Sequence, residues 1–215
     1  MKPGIFIFEG VDFTGKTGTV RYVKEELEKL YPGKVKAYRN PGGTALGEKV
    51  RDIARIETDD VEEQFLAYFL AITSVHNQVK KDIQDGCIVL LDRWVQSTLA
   101  YQVMMMEEDK ALFNELLQRR FYPEEMHTIF FDLSLHLLME RKKLKASERQ
   151  DTVDRFEAAD YNYQLKIWTN YQAIMQGRYP WAKAWPSKNV FIDSAKLSEE
   201  EQKKQCFNLI LEKVQ

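Results

Sequence analysis

The stretch that most constrains this chain is GIFIFEGVDFTGKTGTVRYVKEELEKL, residues 4–30. An apolar β-like run from Ile5 to Glu9 feeds a loop, and an amphipathic helix-like run leaves it. Between them Gly10-Val11-Asp12-Phe13-Thr14-Gly15-Lys16-Thr17 fits the P-loop pattern G-x-x-x-x-G-K-S/T. The chemistry needs these residue types at this spacing. The glycines let backbone N–H groups curl around phosphate oxygens, and the lysine reaches the β and γ phosphates. The threonine hydroxyl serves Mg²⁺, and the helix N-terminus adds its dipole. The loop is expected to hold ATP or a similar triphosphate through Gly10, Val11, Asp12, Phe13, Thr14, Gly15, Lys16, Thr17 and Gly18. No N/T-K-x-D motif of a guanine switch accompanies it.

The rest of the chain alternates in the same way. Further β runs fall at Val35 to Arg39, Cys87 to Asp92, Thr128 to Asp132 and Val190 to Ile192. Helical periodicity covers 16–30, 44–57, 61–84, 95–120 with a break, 134–145, 154–177 and 197–213. Nearly continuous apolar strands suit a parallel sheet covered on both faces. The expected fold is α/β: a five-stranded parallel sheet of the P-loop NTPase type, with helices on both faces and a short lid at about 142–155. Ligands should sit at the C-terminal strand ends. At 215 residues and 44% hydrophobic, the chain is long and apolar enough for one domain spanning 1–215. A formal net charge of −2 argues against a nucleic-acid partner, whose binding rests on a basic surface. No run reaches transmembrane length, and the N-terminal apolar run is too short for a signal peptide, so a cytoplasmic location without membrane attachment is expected. Two cysteines, Cys87 and Cys206, lack metal spacing, and Cys87 reads as a reduced core residue.

Two later clusters also suit anions. In YRNPGGTALGEKVR, residues 38–51, Arg39 ends the second strand beside the turn Pro41-Gly42-Gly43, and Thr44 can cap the next helix. In CIVLLDRWVQSTLAYQ, residues 87–102, a strand ends in Asp92-Arg93. A carboxylate there can hold Mg²⁺ or its water, and the arginine can clamp a phosphate bidentately. Ser97, Tyr101 and Gln102 follow at helical spacing and can line one pocket.

Read in order, EGVDFTGKT, RNPGGT and DRWVQSTLAYQ resemble the three signatures of the thymidylate kinase family of nucleoside monophosphate kinases. FFDLSLHLLMERKKLKASERQDTVDRFE is similar, more loosely, to the family's fourth strand, helix and lid. The resemblance implies transfer of the γ-phosphate of ATP to dTMP, with Mg²⁺ and a homodimeric assembly. The apolar helix 62–81 is compatible with an interface. By resemblance Lys16 and Thr17 serve ATP and the metal, with Asp92. Asp12 contacts the acceptor sugar, and Arg39 with Arg93 bind the acceptor phosphate. Tyr101 packs under the sugar and disfavours a ribose 2′-hydroxyl. Ser97 and Gln102 line the pocket, Ser97 near the base. The family also supplies a mobile cation to the transferring phosphoryl group. The P-loop here carries Phe13 and Thr14 and is not basic, so Arg149 of the lid is the choice, with Arg155 next. Lys16, Arg93, Arg149 and Asp12 are thus the catalytic set. No strong general base is assigned, because an acceptor phosphate oxygen is already ionised.

Three departures bear on the substrate. Asn40 stands where the family has glutamate, Phe13 is bulky for a P-loop, and the helix EEQFLAYFLAITSVHNQVKK lacks the family's base-reading arginine. Phe69 or Tyr68 can stack on the base, but Thr73 or Ala71 falls where the arginine belongs. The base therefore stays open between thymine, uracil and a 5-modified pyrimidine. A deoxynucleoside 5′-hydroxyl kinase and a catalytically impaired nucleotide-binding protein are the other readings. The segment RYPWAKAWP, 178–186, is expected to close the core.

Overall fold

The computed structural model describes residues 1–56, 58–108, 110–121, 126–148, 159–179 and 187–215. Five strands are present: β1 (Gly4–Glu9), β2 (Val35–Arg39), β3 (Ile88–Asp92), β4 (Met126–Asp132) and β5 (Ser187–Asp193). All pair in parallel, in the order β2-β3-β1-β4-β5, so β1 lies at the centre. Their alternation assigns the two faces. Phe6 and Phe8 of β1 pack with Ile88, Leu90, Ile129 and Phe131 in one core, while Ile5 and Ile7 pack with Val89, Leu91 and Phe130 in the other.

Helices cover both faces, as expected. Helix α1 (Lys16–Leu30) and the C-terminal helix α8 (Glu199–Val214) cover the first. Val23, Leu27, Cys206 and Ile210 there are fully buried. A buried side chain such as Leu27 contributes about 1.5–3 kcal/mol. On the second face lie α3 (Val61–Gln84), α4 (Val95–Tyr101), α5 (Lys110–Phe121) and α7 (Tyr161–Met175). The expected break within 95–120 is present as a 3-10 turn at Val103–Met105. Helix α2 (Ala45–Ile56) packs on α3. Cys87 and Cys206 are buried free thiols.

Helix ends show how the sequence directs the chain. Asp60 caps α3 through Glu62 N and Glu63 N at 2.8 and 2.9 Å, and Asp160 caps α7 through Tyr163 N at 2.8 Å. Ser198 and Glu201 form a reciprocal capping box on α8. Helix α1 has no such cap: its N-cap is Gly15 in the left-handed conformation, with no acid in the first turn. Its first N–H groups are left for a ligand.

The register brings the three sequence clusters together. Phe8 and Arg39 both pair with Asp92, so the ends of β1, β2 and β3 open on one rim. Helix α6 (Leu135–Glu148) contains the start of the expected lid. Arg149 and Arg155 lie outside the described residues, as do 180–186 of the aromatic connection.

Candidate active site

A cavity of about 510 Å³ opens at that rim. The P-loop forms one wall. Gly10 sits at φ +138°, and a Cβ there would stand 2.5 Å from Phe131 O, so no side chain fits. Phe13 also adopts a left-handed conformation, φ 62°, which is unusual for a bulky residue. Arg141 of α6, which sequence reading had not singled out, holds this turn by donating to Phe13 O at 3.0 Å and Ser194 O at 2.7 Å. Lys145, one turn on, places its ammonium 5.5 Å from the Phe13 ring centre.

Lys16 is buried at 5% exposure. Its ammonium donates to Val11 O and to Thr14 Oγ1, the latter at 3.1 Å. Burial, with the positive charge of Arg93, brings its pKa down to about 7, against the pull of Asp12, Asp92 and Glu9. Phosphate oxygens brought here would meet a poorly solvated cation. Thr17 donates to Asp92 Oδ2 at 2.6 Å. A hydroxyl and a carboxylate in contact at the end of β3 are a donor set that fits Mg²⁺, which takes few protein ligands and completes its shell with water and phosphate. No cluster of three or more His, Cys, Asp or Glu side chains suited to a metal occurs among the described residues.

The adjoining wall is built around Arg93, whose backbone is also left-handed, φ 71°. Its Nη1 donates to Gly10 O at 3.0 Å, Ser97 Oγ at 3.1 Å and Tyr171 OH at 3.0 Å, and its Nη2 to Asp12 Oδ1. Tyr101 donates to Asp12 Oδ2 at 2.8 Å, and its ring lies 5.4 Å from the guanidinium carbon of Arg93. Burial alone would raise the Asp12 carboxyl; Arg93, Lys16 and Tyr101 together hold it below the usual range. Burial, then Asp12, raises the Tyr101 hydroxyl, so it stays a neutral donor. Arg39, half-exposed, ion-pairs with Glu48, which also accepts Gly43 N at 2.8 Å. Asn40 is buried on the cavity wall with its Oδ1 unpartnered, and Gln102 is buried with its Nε2 unpartnered. Five cations, Lys16, Arg39, Arg51, Arg93 and Lys145, line the cavity.

The structure brings Asp12, Arg39, Asp92, Arg93, Ser97, Tyr101 and Gln102 together with the P-loop on one cavity. It does not bring Phe69 there. That ring is half-buried and packs on the core, against Phe65 at 5.8 Å and edge-on to Phe121 at 5.5 Å. The cavity wall carries Tyr68 instead, since adjacent helical residues point about 100° apart. The residue four positions after Tyr68 is Ile72, fully buried and apolar, so no cation stands in for the missing arginine at that turn. The Ser97 hydroxyl is held by Glu9, Arg93 and Tyr171.

Four residues were missed. Arg51 of α2 donates to Pro41 O at 3.0 Å and lines the cavity; it closed the 38–51 cluster in the sequence and received no role. Glu9 opens the first signature but precedes the P-loop pattern, so the pattern did not include it. Tyr171 and Arg141 carry no local signal at all. They are ordinary residues on ordinary helices, selected only by the way α7 and α6 dock.

A P-loop that shares one cavity with an arginine–carboxylate–tyrosine cluster defines a nucleotide-dependent phosphotransferase. Residues 8–194 match the family model described as thymidylate kinase. The chain belongs to the thymidylate kinase family. It is 30% identical over 200 residues to a thymidylate kinase of Thermoanaerobacter sp. (strain X514), covering 90% of each chain. It is 32% identical over 206 residues to that of Verminephrobacter eiseniae (strain EF01-2), covering 90% of this chain and 85% of the relative. The fold is similar to a crystal structure of thymidylate kinase from Ehrlichia chaffeensis, with a TM-score of 0.73 at 20% identity over 98% of this chain and all of the other. The chain is therefore a nucleoside monophosphate kinase.

Proposed function

We propose that the protein transfers the γ-phosphate of ATP to the phosphate of dTMP, giving dTDP and ADP. The observation that carries this reading is the pairing of two groups of anion-binding residues on one cavity: the uncapped start of α1 with Lys16, and Arg93 with Arg39 and Arg51. Gly10 to Gly18 hold the donor's triphosphate, with Lys16 at the β and γ phosphates. Thr17 and Asp92 would hold Mg²⁺, which when bound would neutralise charge on the donor's phosphates. Arg93, Arg39 and Arg51 take the acceptor phosphate. Asp12 and Tyr101 take the sugar, and Tyr68 with Gln102 takes the base. Phosphoryl transfer then depends on positioning and charge stabilisation.

A 5′-hydroxyl kinase needs a carboxylate free to act as base. Asp12 is occupied by Arg93 and Tyr101, and Asp92 by Thr17, which speaks against that chemistry. Arg149 remains the choice for the mobile cation. Its replacement by alanine should cost turnover far more than ATP affinity, read from kcat beside a calorimetric Kd. A homodimer belongs to the same reading, and the exposed Leu46, Ile53, Leu66 and Leu70 of α2 and α3 offer an apolar face for it. So does a cytoplasmic location; no helix among the described residues is long and apolar enough to cross a membrane.

The test is ADP release with Mg-ATP and a panel of acceptors: dTMP, dUMP, a 5-hydroxymethyl analogue, dCMP, UMP and thymidine. dTMP should lead. Turnover of thymidine without turnover of any monophosphate would overturn the proposal.

A further inference from the structure

One buried carboxylate lies behind the cavity wall and touches neither substrate site directly. Glu9, the last residue of β1, has no exposed surface. Its Oε1 accepts Trp94 N at 2.6 Å and Ser97 N at 3.1 Å. These are N–H groups at the start of α4, a helix whose N-cap residue, Trp94, makes no side-chain cap of its own. A carboxylate from the central strand thus caps a helix some 85 residues away in sequence. The other oxygen, Oε2, accepts from Ser97 Oγ at 2.8 Å and Tyr171 OH at 3.0 Å. Both hydroxyl oxygens in turn accept from Arg93 Nη1. Glu9 therefore grips Arg93 from both ends: the peptide that follows it, and the guanidinium through two bridging hydroxyls. Arg93 needs such a grip, because a left-handed backbone is disfavoured for an arginine.

We propose that Glu9 is a positioning residue for the acceptor site: by capping α4 from β1 and fixing the Ser97 and Tyr171 hydroxyls, it aims Arg93, and so governs affinity for the acceptor phosphate without touching it. The proposal rests on the reading of Arg93 as a cation for the acceptor. Burial pushes the Glu9 carboxyl above its usual range, while Arg93 and the Trp94, Ser97 and Tyr171 donors pull it back. A carboxyl whose pKa is raised by folding favours the folded state at low pH and loses that contribution as the pH rises through its folded value. Ionised Glu9 is therefore a cost to stability at neutral pH, and an amide would serve a purely structural cap at least as well.

The test compares Glu9→Gln, Glu9→Ala and Tyr171→Phe with the unaltered chain. Steady-state kinetics with Mg-ATP and dTMP, a calorimetric Kd for ATP and a thermal melt at pH 7 are read together. Glu9→Ala should raise the KM for dTMP about tenfold or more while the Kd for ATP stays within about twofold. Glu9→Gln keeps an oxygen for the two N–H groups and loses the charge. It should recover part of that loss and melt no lower than the unaltered chain. Tyr171→Phe breaks one bridge and should raise the dTMP KM by a few-fold, about threefold. If Glu9→Ala does not fold, the other two variants decide. An unchanged dTMP KM in both, or a parallel loss of ATP and dTMP affinity with a lower melting temperature, overturns the proposal. Turnover of dTMP by the unaltered chain tests the functional reading separately, so a failure of one is not mistaken for a failure of the other.

Discussion

The donor loop and the acceptor wall line one cavity and meet at Asp12, yet their contacts are made in different ways. The donor loop is local in its lysine and helix start, with Arg141 on Phe13 O and Asp92 on Thr17 as its distant ties. Lys16 reaches Val11 and Thr14, five and two residues away, and the helix that completes the site begins inside the same stretch. The acceptor wall is assembled from distant pieces: Arg93 meets Asp12 across 81 residues and Tyr171 across 78, and Tyr101 meets Asp12 across 89. Local construction makes a site robust to how the rest of the chain packs. Non-local construction makes affinity depend on residues that never contact the ligand, such as Glu9.

Four measurements would break or sharpen this contrast. The largest effect is expected at the donor loop itself: Lys16→Ala should lower kcat about 10³-fold, because a preorganised charge beside the transferring group is removed. Turnover within tenfold of the original would mean that the loop is not where ATP reacts. Arg93→Ala comes next, with about a 10²-fold loss in kcat/KM for dTMP. A fall in thermal stability should accompany it, since Asp12 loses its counter-charge. An effect confined to the ATP KM would place Arg93 on the wrong side of the cavity.

The third measurement separates two neighbours on α3. Tyr68→Ala should raise the dTMP KM about tenfold if the ring packs on the base. Phe69→Ala should leave KM alone and cost about 1–3 kcal/mol of stability, because its half-buried ring packs on the core against Phe65 and Phe121. The reverse pattern would restore Phe69 to the site. The smallest effect concerns protons. Lys16, with a pKa of about 7, is partly neutral at pH 7–8 before ATP arrives. Phosphates favour its charged form, so ATP binding should take up a fraction of a proton there, and affinity should fall by up to about eightfold from pH 6.5 to 8. Calorimetry in buffers of different ionisation enthalpy measures the uptake, and no uptake at pH 7.5 would place the pKa well above 7.

Much of the fold and much of the lining of the cavity were legible in the residues. The apolar strand runs at Ile5, Val35, Cys87, Thr128 and Val190 each became a strand of one parallel sheet: the second kept its bounds, the third began at Ile88 rather than Cys87, and the first, fourth and fifth reached beyond the apolar run into Gly4, Met126-His127 and Ser187-Lys188-Asn189. Patterns of this kind are legible because burial on both faces demands an unbroken apolar run. The P-loop was legible because its glycines, lysine and threonine have to stand at fixed spacing for one backbone loop to surround a phosphate.

What only the tertiary structure decided is rotation and docking. A helix places successive residues about 100° apart, so whether Tyr68 or Phe69 faces the cavity depends on how α3 lies on the sheet, and both are aromatic. Arg51, Arg141 and Tyr171 are common residue types on amphipathic helices, and nothing nearby in sequence distinguishes them from a solvated or packed face. Glu9 became a helix cap because β1 and β3 pair in a register that sets Phe8 beside Asp92 and brings the end of one strand under the start of α4. The sequence by itself determined the sheet, the phosphate loop and the residue types available to the acceptor. Which of those types meet was settled by packing, because contacts across some 80 residues follow from the fold as a whole and leave no local pattern to read.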